Sequence, residues 1–208
     1  VNDTELSLDY VWNLMLGSLN MKKLLAIAVL SLFLIIPSQA DDISDFQIEG
    51  VNIGESLLDY ATEEEIKSIK ANINYKTDKF VTYRLEKIHE LNQYDKLNVS
   101  VKKGDKKYKI VGISGIYYYA NLNECNSLKK EIQSYVKKEF LINDSDITKF
   151  PSSMDETGKS MIYGIQNYLK PYPSLESINI NCYDFTKDSL MRPNLKVSVN
   201  THEFMDFI

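Results

Sequence analysis

The segment 97–119 reads LNVSVKKGDKKYKIVGISGIYYY, and it decides the fold. Apolar residues alternate with polar ones from Leu97 to Val101, which is the period-two pattern of a half-buried strand. Gly104-Asp105 is typical of a tight turn between two antiparallel strands. The run 108–119 is longer and apolar on both faces. The segment therefore predicts two strands joined as a hairpin.

Similar patterns extend outward from this hairpin and predict further strands over 81–86, 161–169, 178–185 and 195–199. Thr62 and Glu65 have the spacing of a capping box, which predicts the start of a helix. Apolar residues recur every three or four positions from Cys125 to Phe140 and predict an amphipathic helix after Asn121. Asn200 with Glu203 predicts a short terminal helix, and 143–159 reads as irregular.

The order of these elements predicts an α+β fold. Strands joined by short loops favour an antiparallel sheet, with helices packed on one face of it. A helix followed by three strands occurs twice, so we expect two helix-plus-three-strand units as half-repeats, 41–119 and 120–208.

The first forty residues have a separate character. Lys22-Lys23 precede the apolar run LLAIAVLSLFLII over 24–36, and Ser38-Gln39-Ala40 is a small-x-small cleavage site. This pattern predicts a signal peptide over 21–40, and the run is too short to span a bilayer comfortably. We expect 1–20 to be an over-extended reading frame, and 41–208 to be a single domain. The protein is then periplasmic or secreted after cleavage following Ala40.

The composition of the chain limits the classes of partner that we expect. The full chain has a formal net charge of −5, and nucleic-acid binding needs a basic face, so we expect no nucleic-acid partner. No other apolar run is long enough for a membrane span in the mature chain.

Cys125 and Cys182 are the two cysteines. In an oxidising compartment they are expected to form one disulfide, with Cys125 on the apolar side of its helix and Cys182 on the apolar side of its strand.

Catalytic motifs are incomplete in this chain. His89 and His202 are the two histidines, and Gln93 stands where the zinc pattern H-E-x-x-H needs the second histidine. The segment 158–160 resembles the end of a phosphate loop, but Ser153 occupies the position of its first glycine. We therefore expect a protein that is not an enzyme and needs no cofactor, with a hydrolase as the third hypothesis.

Tyrosine is abundant, with 14 in the chain. A sheet face that carries tyrosine and asparagine suits contact with a protein or a glycan. Tyrosine is also common in strands without any binding role, because aromatic side chains pack well on a sheet surface. The leading hypothesis is a binding module that contacts an unknown protein partner through its sheet face. The predicted binding residues are Tyr118, Asn179, Asn181 and Tyr183.

The alternative hypothesis is a periplasmic protein that binds a small molecule, a glycan or calcium. Calcium prefers carboxylate and carbonyl oxygens, and the segment 143–159 gathers several of them. The candidate ligands are Asp144, Asp146, Asp155 and Glu156. The order of ligands found in an EF-hand is absent from this segment.

The doubled layout over most of 62–199 resembles the beta-lactamase inhibitor protein and the small lipoprotein of the outer-membrane assembly machine. The resemblance is in the order of helices and strands, and it assigns no functional residue to this chain. The first family implies protein binding through an open sheet face. The lipid-bearing cysteine of the second is missing here. The segment 48–60, IEGVNIGESLLDY, is similar to small uncharacterised exported bacterial proteins, which implies no particular function.

Overall fold

A computed structural model describes residues 43–69, 79–85, 90–142 and 145–207. They belong to one compact unit, Gln39–Ile208. Its strands are β1 (Gln47–Ile48), β2 (Val51–Asn52), β3 (Phe80–Arg84), β4 (Lys96–Lys102), β5 (Ile110–Tyr117), β6 (Ser145–Pro151), β7 (Met161–Tyr168), β8 (Ser177–Asp184) and β9 (Asn194–Asn200). Its helices are α1 (Glu63–Ser68), α2 (Leu122–Glu139) and α3 (His202–Met205), with short 3-10 turns at Ile43–Asp45 and Leu57–Asp59.

Strands β3 to β9 form one antiparallel sheet in the order β3-β4-β5-β9-β8-β7-β6. Strands β1 and β2 form a separate hairpin. The predicted turn joins β4 to β5. Asp105 closes it, because its carboxylate accepts hydrogen bonds from the backbone N–H groups of Lys107 and Lys109 at 2.9 and 3.0 Å. Strand β9 pairs with β5 and so joins the two hairpin groups into one sheet.

The predicted fold class, with helices on one face of two helix-plus-three-strand units, is wrong. The described part of the chain is mostly antiparallel sheet, and α2 is its one long helix. Helix α2 is linked by the disulfide to β8. The four-residue α3 lies on the opposite face, where the Phe204 ring occupies the space in which a Cβ of Gly112 would stand. Strand β5 of the first predicted half-repeat, 41–119, pairs with β9 of the second, 120–208, so the two halves share one sheet, and their description as repeats stays a prediction.

Two local predictions need correction. The segment 145–151, predicted as irregular, is the edge strand β6, whose side chains are mostly exposed. The cap of α3 is Thr201, whose hydroxyl accepts a hydrogen bond from the Phe204 N–H at 3.3 Å. Asn200 instead ends β9. The capping box of α1 is confirmed, because Thr62 and Glu65 exchange side-chain to backbone hydrogen bonds.

The hydrophobic core lies between one face of the sheet, α2 and the N-terminal segment that includes α1. Its fully buried side chains include Leu57, Ile66, Leu97, Val99, Ile113, Ile178 and Ile180. Cys125 of α2 and Cys182 of β8 are also fully buried there, and they form the predicted disulfide with a Cα–Cα distance of 6.0 Å. Among the described residues, no helix combines the length and apolar character needed to cross a membrane.

Candidate functional site

Away from the apolar cluster of α3 and Phe80, the sheet face opposite the disulfide is polar across its width. In antiparallel strands, directly opposite residues share a face. The register therefore places one residue from each of the seven strands in a single row on this face. In strand order the row is Arg84, Asn98, Ser114, Ser198, Asn179, Gln166 and Asp146. We call the face that carries this row the polar face.

Side chains in the middle of the polar face are nearly inaccessible to solvent. Asn98 is 7%, Ser114 8% and Ser198 6% exposed, and Ser177 in the next row is fully buried. In that next row, the hydroxyls of Thr82 and Ser100 are 2.7 Å apart and share a hydrogen bond. Buried polar groups cost free energy unless they are hydrogen-bonded. The hydrogen-bond partners of these side chains therefore determine which groups remain to bind a ligand.

Two amide oxygens on the polar face have no hydrogen-bond partner within the residues that the structure describes. They are the buried Oδ1 atoms of Asn98 and Asn179. The amide nitrogen of Asn179 donates to the Ser177 hydroxyl at 3.4 Å, which leaves its oxygen as the unsatisfied atom. The two asparagines lie in the same row three strands apart, or about 14 Å. Native proteins rarely leave such acceptors unpaired, so they are candidates for hydrogen bonds from a ligand.

The structure brings the four predicted binding residues to this face. Asn179, Asn181 and Tyr183 alternate along β8 and lie opposite Ser198, Lys196 and Asn194 of β9. Tyr118 follows β5 two residues after Ile116, which lies opposite Lys196. All four predicted side chains are partly buried. Their binding role stays a prediction, but they form one surface.

A group of cations at one end of the polar face was not predicted. The Arg192 guanidinium carbon lies 4.2 Å from the centroid of the Tyr118 ring, and the Lys96 Nζ lies 5.2 Å from it. Lys96 and Lys196 lie on either side of Ile116, on β4 and β9. Burial lowers the pKa of Lys196. We call Lys96, Arg192 and Lys196 around Tyr118 the cation cluster.

The acidic candidates do not form a metal site in the part of the chain that is described. Asp155 organises the β6–β7 loop: its carboxylate accepts hydrogen bonds from the hydroxyl and N–H groups of both Ser160 and Thr157. These bonds, led by that of the Ser160 hydroxyl, lower the pKa of Asp155 to about 2. Asp146 lies near the other end of β6 and accepts from the Tyr168 hydroxyl at 3.1 Å.

The remaining acidic and histidine candidates add no site. Glu156 is exposed, and Asp144 lies outside the described residues. No three His, Cys, Asp or Glu side chains of the described ranges are grouped so that they could hold a metal ion. His202 Nδ1 accepts a hydrogen bond from the Leu175 N–H at 3.0 Å, and its Nε2 lies 3.6 Å from Asp206. His89 is outside the described residues.

Besides the polar face, the structure has a cleft where β6 and β7 meet the segments that precede and follow them. It is an open cleft of about 570 Å³. Apolar and aromatic side chains form much of its wall, with Asp146, Lys170 and Ser174 as the polar groups; the others are Phe140, Leu141, Ile142, Tyr168, Leu169, Pro171, Tyr172 and Leu175. Its size falls in the range of about 300–1,000 Å³ that is usual for small-molecule sites.

Comparisons of the chain with protein-family models, with curated proteins and with solved structures find no match. The resemblance of layout to the beta-lactamase inhibitor protein therefore stays a prediction, and the function has to be inferred from the polar face, the cation cluster and the cleft.

Proposed function

We propose that this protein is an exported binding module that contacts another protein through the polar face. The observation that carries the proposal is the pair of buried acceptors, Asn98 Oδ1 and Asn179 Oδ1, which lie in one row of the polar face and have no partner among the described residues. A partner that displaces the side chains around them and supplies N–H or O–H donors would satisfy both oxygens, and leaving such atoms unpaired costs about 1–3 kcal/mol each.

The composition of the polar face supports a protein partner. It presents serine and asparagine with Tyr118 and Tyr183 beside them. Tyrosine gives a large contact area at low entropic cost, while serine and asparagine adapt their hydrogen bonds to the surface they meet. This combination is typical of protein-binding surfaces that rely on polar contacts.

Export is part of the proposal. The pattern over 21–40 is that of a signal peptide with cleavage after Ala40, which would place the domain in the periplasm or outside the cell. The disulfide between Cys125 and Cys182 is compatible with such an oxidising compartment. The partner would then be another protein of the cell envelope or the exterior.

Capture of proteins from the native envelope fraction tests the proposal. The bait is residues 41–208, compared with a variant that carries Asn179→Arg and Asn181→Arg on the polar face. The control bait carries Asn123→Arg and Ser127→Arg, which add the same charge at exposed positions of α2.

We expect the wild-type and control baits to retain the same partner, and the polar-face variant to lose it. Each bait is first checked for an unchanged melting temperature and for an intact disulfide, which is seen as cysteines that react with a thiol reagent only after reduction. Tyr183→Ala serves as a second, uncharged polar-face variant. Retention of the partner by both polar-face variants would show that this surface is not the binding surface.

The cleft supports a second candidate function, the binding of a small molecule or glycan. A ligand that binds only the native state raises its melting temperature. We would expect Tyr172→Ala, at a side chain that is 91% exposed at the wall of the cleft, to abolish such a rise without destabilising the protein. An unchanged melting temperature across a panel of sugars and metabolites would rule against this second function.

A further inference from the structure

The cation cluster concentrates positive charge in an acidic protein. The chain has a formal net charge of −5, yet Lys96, Arg192 and Lys196 all lie around the outer end of β5, next to Tyr118. Asp95 is the acidic residue adjacent in sequence to Lys96, and its Oδ2 accepts a hydrogen bond from the Tyr118 N–H at 2.7 Å. Counting Asp95, the local balance remains positive.

None of the three cations forms an ion pair with a carboxylate in the described residues. This contrasts with lysines elsewhere in the described part of the molecule. Lys102, for example, lies 2.8 Å from Glu203, and Lys170 lies 2.7 Å from Glu176. The cluster is therefore an unneutralised site rather than one more internal salt bridge.

The geometry of the cluster suits an oxoanion. Lys96 and Lys196 stand two strand spacings apart, or about 10 Å between Cα atoms, and their long side chains can converge on a group between them. Contact with the face of Tyr118 holds the Arg192 guanidinium in place and leaves its N–H donors free for a carboxylate. Lys196 is partly buried and has no counter-ion among the residues that the structure describes, and burying a charge is unfavourable until an opposite charge joins it.

The cluster is continuous with the surface proposed above. Asn181 lies directly opposite Lys196, and Tyr183 lies directly opposite Asn194, whose amide donates to the Arg192 carbonyl at 2.8 Å. A partner on the polar face would therefore reach the cluster with the same contact surface. Opposite charge at that point would fix its register and speed its association.

We infer that the cation cluster is a carboxylate-binding subsite that receives an acidic segment of the protein partner. This inference rests on the proposed function, and it adds the chemistry of the partner: Asp or Glu side chains, or a chain terminus, at the end of its interface.

Fluorescence anisotropy with a labelled hexaglutamate peptide tests the subsite, with a hexaglutamine peptide as the uncharged probe. The test variant of residues 41–208 carries Lys96→Gln, Arg192→Gln and Lys196→Gln. The control variant carries Lys103→Gln, Lys106→Gln and Lys107→Gln, which remove the same charge from the exposed β4–β5 turn. Titrations run at about 50 mM and about 300 mM NaCl, because screening strengthens across that range.

We expect the wild-type and control proteins to bind hexaglutamate in preference to hexaglutamine, and to lose that preference at the higher salt. The test variant should bind hexaglutamate at least about tenfold more weakly. Arg192 is exposed, so Arg192→Gln alone gives an answer even if the triple variant does not fold, and it should weaken binding measurably.

Equal loss of binding in the test and control variants would mean that only overall charge matters, and it would overturn the inference. Binding to vesicles of phosphatidylglycerol but not to hexaglutamate would overturn it in favour of a lipid surface. The capture experiment separates the two proposals. If Asn179→Arg with Asn181→Arg abolishes capture while the triple lysine and arginine variant does not, the polar face binds a partner and the subsite is refuted.

Discussion

Removal of the disulfide should cost a large part of the stability of the domain. The perturbation is Cys125→Ala with Cys182→Ala, at two fully buried positions that are 57 residues apart in the chain. Crosslinking restricts the unfolded chain, and for a loop of this length the chain-entropy relation gives about 4 kcal/mol. The double variant also leaves a void between α2 and β8, which adds to the loss. Domains of this kind have total stabilities of about 5–15 kcal/mol.

The assay is urea unfolding followed by tyrosine fluorescence and circular dichroism, with extrapolation to zero denaturant. Wild-type protein is measured oxidised and reduced, beside the double variant. We expect a loss of about 3–5 kcal/mol in the double variant and a smaller loss on reduction alone, because the reduced protein keeps its packing. A loss below about 1 kcal/mol in both would refute the view that this link stabilises the pairing of α2 with the sheet.

Other features of the sheet and its loops yield three further predictions. Stability should fall as the pH drops from about 4 to about 2, because the pKa of Asp155 is lowered to about 2 in the native state and protonation removes its bonds. Melting curves of Asp155→Asn should show a smaller fall than wild type, since Asp105 and other carboxylates with a lowered pKa remain, and those of the exposed Glu156→Gln should match wild type. Gly164→Ala should cost about 1–3 kcal/mol in urea unfolding, because the added Cβ would clash with Asn181 Oδ1. Ile180→Val should cost about 0.5–1.5 kcal/mol and leave capture of the partner intact.

The local elements follow from patterns within single segments. The β4–β5 hairpin, α2 with its Asn121 cap and the disulfide were all predictable. Each depends on periodicity or on residues close in sequence, and Cys125 and Cys182 had no other cysteine to pair with.

The arrangement of those elements was not predictable in the same way. Pairing of β5 with β9 joins residues that are about 80 to 90 positions apart, such as Ile113 and Val199, and no local pattern encodes it. Strand β6 is an edge strand in which even Ile147 is 86% exposed, so the apolar and polar alternation of a half-buried strand does not mark it out from an irregular segment.

Some residues of the candidate site were likewise predictable from the sequence, and others were not. Asn179, Asn181 and Tyr183 share a face because side chains alternate along one strand, and this was visible in the sequence. The cation cluster joins β4, β9 and the residues that flank β5 and β9. Lys96 lies 96 positions before Arg192 and 100 before Lys196, so they could be grouped only after the strand order was known.

Site-specific photo-crosslinking tests the central claim that the polar face contacts a protein. A photoreactive phenylalanine replaces Asn181 on the polar face, and in a matched protein it replaces the exposed Ser127 of α2. Both proteins are expressed as the full 208-residue chain and irradiated in intact cells. A discrete crosslinked protein at position 181 and none at 127 is the result that we predict. Equal crosslinking at both positions, or none at 181 in a protein with blocked cysteines, would contradict the claim.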